Sequence, residues 1–247
     1  MITTIHLCGR CSSEHVRKNG SNGGRAKYQC TGCGYQGYLQ PAAPARAARY
    51  VQVEKLLTER NSQRSIVRAT GVSRMTVAKL AKKAAQASPA LLRLRPKKAQ
   101  RKRWGVLELN EMRTFVGCKR RKVWLWLVVE QASRRIVAWA LGTRGTVPCR
   151  RLWAALPARY RRHCWYRTDE WPAYAAVLPP HAHRRDEAGQ TNVVEALNCS
   201  LRQRCGVLIR KSCSFSKSLS MHQARIKIVI DQHNASITLS WTTVKDL

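Results

Sequence analysis

Val123-Trp-Leu-Trp-Leu-Val-Val129 is an unbroken apolar run, the pattern of a strand buried on both faces. Downstream, Arg135-Ile-Val-Ala-Trp-Ala-Leu141 is a second such run, stopped by Gly142. Upstream, Gly105-Val-Leu-Glu-Leu-Asn110 reads as a third strand that closes at Asn110. These three predict successive strands joined by short basic turns. A helix is expected around 147–156, then a strand Cys164-Trp-Tyr-Arg-Thr-Asp169 closing at Asp169, then a helix over 171–178. A last helix carries Glu195 within Thr191-Asn-Val-Val-Glu195-Ala-Leu-Asn-Cys-Ser-Leu-Arg. Three strands, helix, strand, helix describes an RNase H-like α/β domain with a mixed sheet over residues 104–247.

The ends of the first and fourth strands and the last helix carry the chemistry. An Asp on one strand, an Asp on a second and a Glu on a helix hold paired Mg²⁺ or Mn²⁺ ions roughly 3.5–4 Å apart in phosphoryl-transfer sites. Asn110, Asp169 and Glu195 reproduce that pattern with one ligand neutralised, since an amide offers an oxygen but no charge. A structural reading competes: Asp169 caps the following helix and Glu195 pairs with an arginine. Glu108 and Glu111 flank Asn110 and are expected to face away from it or to lie past a turn, so neither is read as a replacement ligand.

Charge bounds the partner. The 247 residues include 46 Lys and Arg against 13 Asp and Glu, a formal charge of +33. That imbalance favours a polyanion, and nucleic acid fits because the basic residues run through every segment. With 44% hydrophobic residues the chain can still build a core. No transmembrane stretch, secretory leader or lipid-anchor signal is read, so a cytoplasmic protein without a membrane partner is expected. Ten cysteines are then read as metal ligands and thiols rather than disulfides.

Cys8-Gly-Arg-Cys11 and Cys30-Thr-Gly-Cys33 are two CxxC knuckles, the ligand set of a closed, structural Zn²⁺ site in a zinc ribbon over 1–42. Asn19-Gly20 and Asn22-Gly-Gly24 are expected as hairpin turns. The other six cysteines (118, 149, 164, 199, 205 and 213) show no ligand spacing, and His181 and His183 are expected in a loop.

After Pro41-Ala-Ala-Pro44 a helix is predicted over about 45–60. Ser62 caps a short helix, Gly71 makes a turn, Val72 packs between helices and Ser73 caps the next. This is a helix-turn-helix over 43–85, with Ser73, Arg74, Thr76 and Lys79 toward DNA and Met75, Val77 or Leu80 inward. Residues 86–103 form a basic linker whose Arg101, Lys102 and Arg103 lie along phosphates, the alternative being a solvated charge run. The fold class is therefore α+β multidomain: zinc ribbon, helix-turn-helix, linker and RNase H-like domain.

The chain resembles the IS1 family of insertion-sequence transposases. The resemblance rests on the zinc ribbon, Arg68-Ala-Thr-Gly-Val-Ser73-Arg, Leu109-Asn-Glu111 with Phe115-Val-Gly117, Thr168-Asp-Glu-Trp171 with Tyr174, and Arg210-Lys-Ser-Cys-Ser-Phe215-Ser-Lys217-Ser. It extends from Cys8 to about His222, and the tail beyond fits only loosely. The resemblance implies a DDE transposase whose catalytic positions fall on Asn110, Asp169 and Glu195. It would bind the terminal inverted repeats of double-stranded DNA, cleave, and join the freed end to target DNA, with Arg210, Lys211 and Lys217 near the phosphates. Holding two ends together implies at least a homodimer. The alternatives are a regulator that binds DNA without chemistry, or an RNase H-like nuclease or resolvase.

Overall fold

The computed structural model describes residues 6–38, 42–87, 105–185, 191–209 and 214–243. Arg101, Lys102, Arg103, Arg210 and Lys211 lie outside the described residues. Internal contacts group the chain into two compact units, 1–51 and 52–247.

In the first unit β1 (Val16–Asn22), β2 (Arg25–Cys30) and β3 (Gln36–Gly37) form an antiparallel sheet in that order. Gly23 and Gly24, at φ +57° and +76°, make the two-residue hairpin loop, a backbone that other residues adopt only with strain. Asn19-Gly20 is not a second turn. It sits inside β1 where the register slips between Lys18 and Ser21, so the glycine (φ +71°) serves a bulge.

Helices α1 (Ala42–Leu57), α2 (Gln63–Thr70) and α3 (Arg74–Ala87) follow, and the boundary between the units falls within α1. The Ser62 hydroxyl accepts the Ser65 N–H at 3.0 Å, and the Ser73 hydroxyl accepts the Thr76 N–H at 3.3 Å. Gly71 takes φ +67° to end α2. Ile66, Val72, Val77 and Leu80 are buried, whereas Met75 is 66% exposed and belongs to the outer face with Arg74 and Lys79.

The larger sheet contains β4 (Gly105–Phe115), β5 (Lys122–Glu130), β6 (Arg135–Gly142), β7 (Cys164–Thr168) and β8 (His183–Arg185), ordered β6-β5-β4-β7-β8. β4, β5 and β6 pair antiparallel, while β4–β7 and β7–β8 are parallel. Between them run α4 (Thr146–Ala155), α5 (Ala158–Arg162) and α6 (Pro172–Ala175). α7 (Asn192–Arg204), a 3-10 turn at Gly206–Leu208 and α8 (Leu219–Thr243) complete the chain. Asn110 does not close its strand: β4 continues to Phe115 because its pairing with β5 runs on to Lys122. The expected helix over 171–178 shrinks to α6, and His183 lies in β8 rather than in a loop.

Side-chain alternation along β4 divides the core. Leu107 and Leu109 pack with Trp126, Val128, Leu152, Tyr166 and Tyr174 on one face. Met112 packs with Leu125, Leu127 and Val129 on the other, against Val194 and Leu201 of α7 and Ile226 and Val229 of α8. Among the described residues, no helix is long and apolar enough to cross a membrane.

α8 has no single apolar stripe because it is covered on several sides. It packs against α3, β6 and α7, and residues 224–226 and 228–230 are all buried. Its Arg225 donates to the carbonyls of Glu59 (3.4 Å) and Asn61 (2.9 Å), tying the α1–α2 connection to this helix. Farther along, Asn234 accepts from the Ile136 N–H at 3.0 Å and donates to its carbonyl at 2.9 Å, covering the outer strand of the sheet. Asn234→Ala strands both backbone groups, so denaturant unfolding is expected to lose about 1–3 kcal/mol. An unchanged midpoint would show that this amide does not secure the edge.

Candidate catalytic and metal-binding sites

The four cysteines of the amino-terminal sheet converge, their sulfurs all within 4.8 Å of one another. Cys8 and Cys33 Sγ are 3.7 Å apart, and Cys11 and Cys30 Sγ 3.6 Å apart. Disulfide sulfurs lie about 2.05 Å apart, whereas tetrahedral Zn–S bonds of about 2.3 Å separate sulfurs by about 3.8 Å. The cluster therefore fits a zinc ion and not a bridge. Backbone N–H groups point at the sulfurs: Arg10 N–H reaches Cys8 Sγ at 3.4 Å, and this bond lowers the Cys8 pKa. The Cys33 N–H is the largest of several hydrogen bonds that lower that of Cys30 to about 6, and both shifts favour the thiolate, the form that binds metal. Against the Ser13 N–H, the neighbouring thiols push Cys11 the other way, to about 12, as expected where four sulfurs share one site.

The second site is built on β4. Its alternation puts Asn110 on the α7 side with Glu108 and Met112, and Glu111 on the opposite side. The expectation that Glu108 faces away from Asn110 is thus corrected, because a residue two positions earlier shares its face. β7 runs parallel to β4 with Arg167 opposite Glu108, the last pair of that register, two residues before Asn110 and Asp169. Asp169 is exposed just beyond β7, and its Oδ1 accepts the Trp171 N–H at 3.1 Å. That bond closes a turn ahead of α6 rather than capping it, since Trp171 stands at the N-cap without a side-chain cap bond, and it leaves Oδ2 uncommitted by that contact. Glu195 is exposed in the first turn of α7, with Oε1 accepting the Thr191 hydroxyl at 3.1 Å.

The opposite side of β4 braces the Asp169 turn. Glu111 is buried and accepts the Tyr174 hydroxyl at 2.8 Å. Arg144 Nε and Nη2 each reach Glu111 Oε1 at 2.7 Å, while its guanidinium lies 3.7 Å from the Trp171 ring and 4.8 Å from that of Trp124. Burial pushes the Glu111 carboxyl above its ordinary range, and the nearby Asp169 charge adds to this; Tyr174 and Arg144 oppose it. Burial, with the Glu111 charge, holds the Tyr174 phenol well above its usual pKa and hence neutral. Thr168 Oγ1 and His183 Nε2, 2.7 Å apart, join the ends of β7 and β8 beside this turn. Glu108, Glu111, Arg144 and Tyr174 were not singled out as functional in the sequence. The signal available was two carboxylates inside a strand otherwise reading as buried.

On α3 the outer face presents Ser73, Arg74 and Lys79, with Thr76 half-buried and its hydroxyl 2.9 Å from that of Ser73. Lys217 is exposed just before α8.

A mixed five-stranded sheet with helices on both faces is consistent with a transposase catalytic domain. Residues 105–236 match the IS1 transposase family, and the chain belongs to that family. It is 32% identical over 129 residues to the insertion element iso-IS1n protein InsB of Shigella dysenteriae, covering 52% of this chain and 95% of that protein. It is 36% identical over 115 residues to the insertion element IS1 protein InsB of Shigella flexneri, covering 47% and 86%. The family is one of enzymes that cleave DNA and transfer strands, so DNA is a partner. The match begins at Gly105 and runs through Ser236 into α8, beyond the point near His222 where the sequence resemblance was expected to end.

The zinc fit has a direct check. A thiol reagent is expected to titrate four more cysteines after strong chelation than in the zinc-loaded protein, as Cys8, Cys11, Cys30 and Cys33 are released. Equal counts in the two states would remove the ion from this cluster.

Proposed function

We propose that this chain is a DDE-type transposase with an RNase H-like catalytic domain, impaired by the amide at Asn110. The observation that carries the reading is that all three site positions lie inside the segment that matches the family. The parallel pairing of β4 with β7 up to two residues before Asn110 and Asp169, and the start of α7 on the Asn110 side of β4, support it.

Asn110, Asp169 and Glu195 would hold two Mg²⁺ or Mn²⁺ ions. Bound there, such ions would supply Lewis-acid activation of water and charge compensation for phosphoryl transfer. Asp169 would bring one full negative charge to the ions from the end of β7, and Glu195 another from α7. Asn110 offers its amide oxygen without charge, so the developing negative charge of the transition state is under-compensated. Glu111, Arg144 and Tyr174 hold the Asp169 turn against β4.

Recognition falls to the amino-terminal elements. α3 enters the major groove of a terminal inverted repeat with Arg74, Thr76 and Lys79, while Ser73 meets the backbone at the helix start. Arg101, Lys102, Arg103, Arg210, Lys211 and Lys217 neutralise phosphates. The zinc ion is structural, since four thiolates leave no open position. Two ends must be held at once, so the active form is at least a dimer, acting in the cytoplasm.

Asn110 itself favours a second reading, a protein that binds inverted repeats without cutting them. Asn110→Asp decides between them. With Mg²⁺ and end DNA, the variant is expected to cleave on the order of 10²-fold faster than the parent, at unchanged end binding. Equal rates would reject the metal role of position 110.

A further inference from the structure

We infer that Glu108 is a positioning residue that fixes Glu195 relative to Asn110; the inference rests on the metal-site reading above. A helix exposes unpaired N–H groups in its first turn, and a side chain at the N-cap normally takes one of them. α7 lacks that arrangement. Thr191 stands at the N-cap without a side-chain cap bond, and its hydroxyl is directed to Glu195 instead. The missing acceptor comes from the sheet: Glu108 Oε2 takes the Val194 N–H at 2.9 Å, across 86 residues of sequence.

Glu108 is fully buried, at 0% exposure, so this is not a loose surface contact. Its other oxygen accepts from Gln131 Nε2 at 2.9 Å, which commits both carboxylate oxygens and leaves the group as a cap rather than an ion ligand. A carboxylate at a helix N-terminus is also favoured by the aligned peptide dipoles. The contact has a short mechanical path at each end. Glu108 is two residues from Asn110 on the same face of a strand paired on both sides, and Val194 is the residue before Glu195. Apolar contacts of Val194 and Leu197 hold α7 to the sheet but are not directional, so they permit sliding and rotation. One oriented bond removes that freedom at the turn that carries Glu195.

The test uses the full zinc-loaded chain with Asn110→Asp, so that a complete carboxylate set is present. Glu108→Asp keeps the charge but draws the carboxylate back by one methylene, out of reach of Val194. Glu108→Gln keeps an oxygen for Val194, and its amide donates to Gln131 once that side chain turns over. Mn²⁺ affinity without DNA and hydrogen exchange of the amides over 192–196 are the readouts. Glu108→Asp is expected to weaken Mn²⁺ binding 10–100-fold and to speed exchange in that segment. Glu108→Gln should restore most of both, which a need for the charge alone would not allow. Binding and exchange at parent values in Glu108→Asp, or equal defects in both variants, overturn the proposal. Asp169→Asn and Glu195→Gln run alongside: if they bind Mn²⁺ like the parent, the metal-site reading itself fails, whatever Glu108 does.

Discussion

The larger unit depends on β4 being held rigidly from both sides. Antiparallel pairing with β5 covers nine of its positions, and parallel pairing with β7 fixes its first four residues. With both edges paired, side-chain direction along the strand is set by the pleat alone. Glu108 and Asn110 are turned to α7 and Glu111 to the Tyr174 side. Neither buried glutamate is left to pay its desolvation unaided: Glu108 meets two donors and Glu111 three, all within 2.9 Å. One strand thereby references both neighbouring chain segments that bear acids, α7 through Glu108 and the Asp169 turn through Glu111.

A formal charge of +33 opposes compaction, and among the described residues most cations lie at the surface. Two exceptions are informative. Arg144 is neutralised by Glu111 and stacked on Trp124 and Trp171, a use for guanidinium that lysine cannot match. Arg225 is buried and gives one edge of its fork to the carbonyls between α1 and α2. Those bonds, with the packing of α3 on α8, make α2 and α3 part of the same compact unit as the sheet.

Much of this was legible in the residues. The apolar runs of β5 and β6 have one physical solution, burial on both faces, and they fall within a residue of their ends in the structure. The capping serines at 62 and 73 and the CxxC pairs carry their geometry in their chemistry. Three features stayed hidden for definable reasons. β8 has only three residues, and its parallel partner is not adjacent in sequence. α8 is buried from several directions and so lacks the one-sided period that marks a surface helix. Glu108 takes its meaning from an amide 86 residues away, which no local pattern encodes.

Under the proposed function, positions 110, 169 and 195 enclose a pair of divalent ions. The most direct measurement is anomalous diffraction from crystals of the Asn110→Asp chain with end DNA and Mn²⁺. The account predicts two manganese peaks roughly 3.5–4 Å apart, bounded by these three side chains. Manganese bound elsewhere, with Asp169 and Glu195 bare beside ordered DNA, would contradict it.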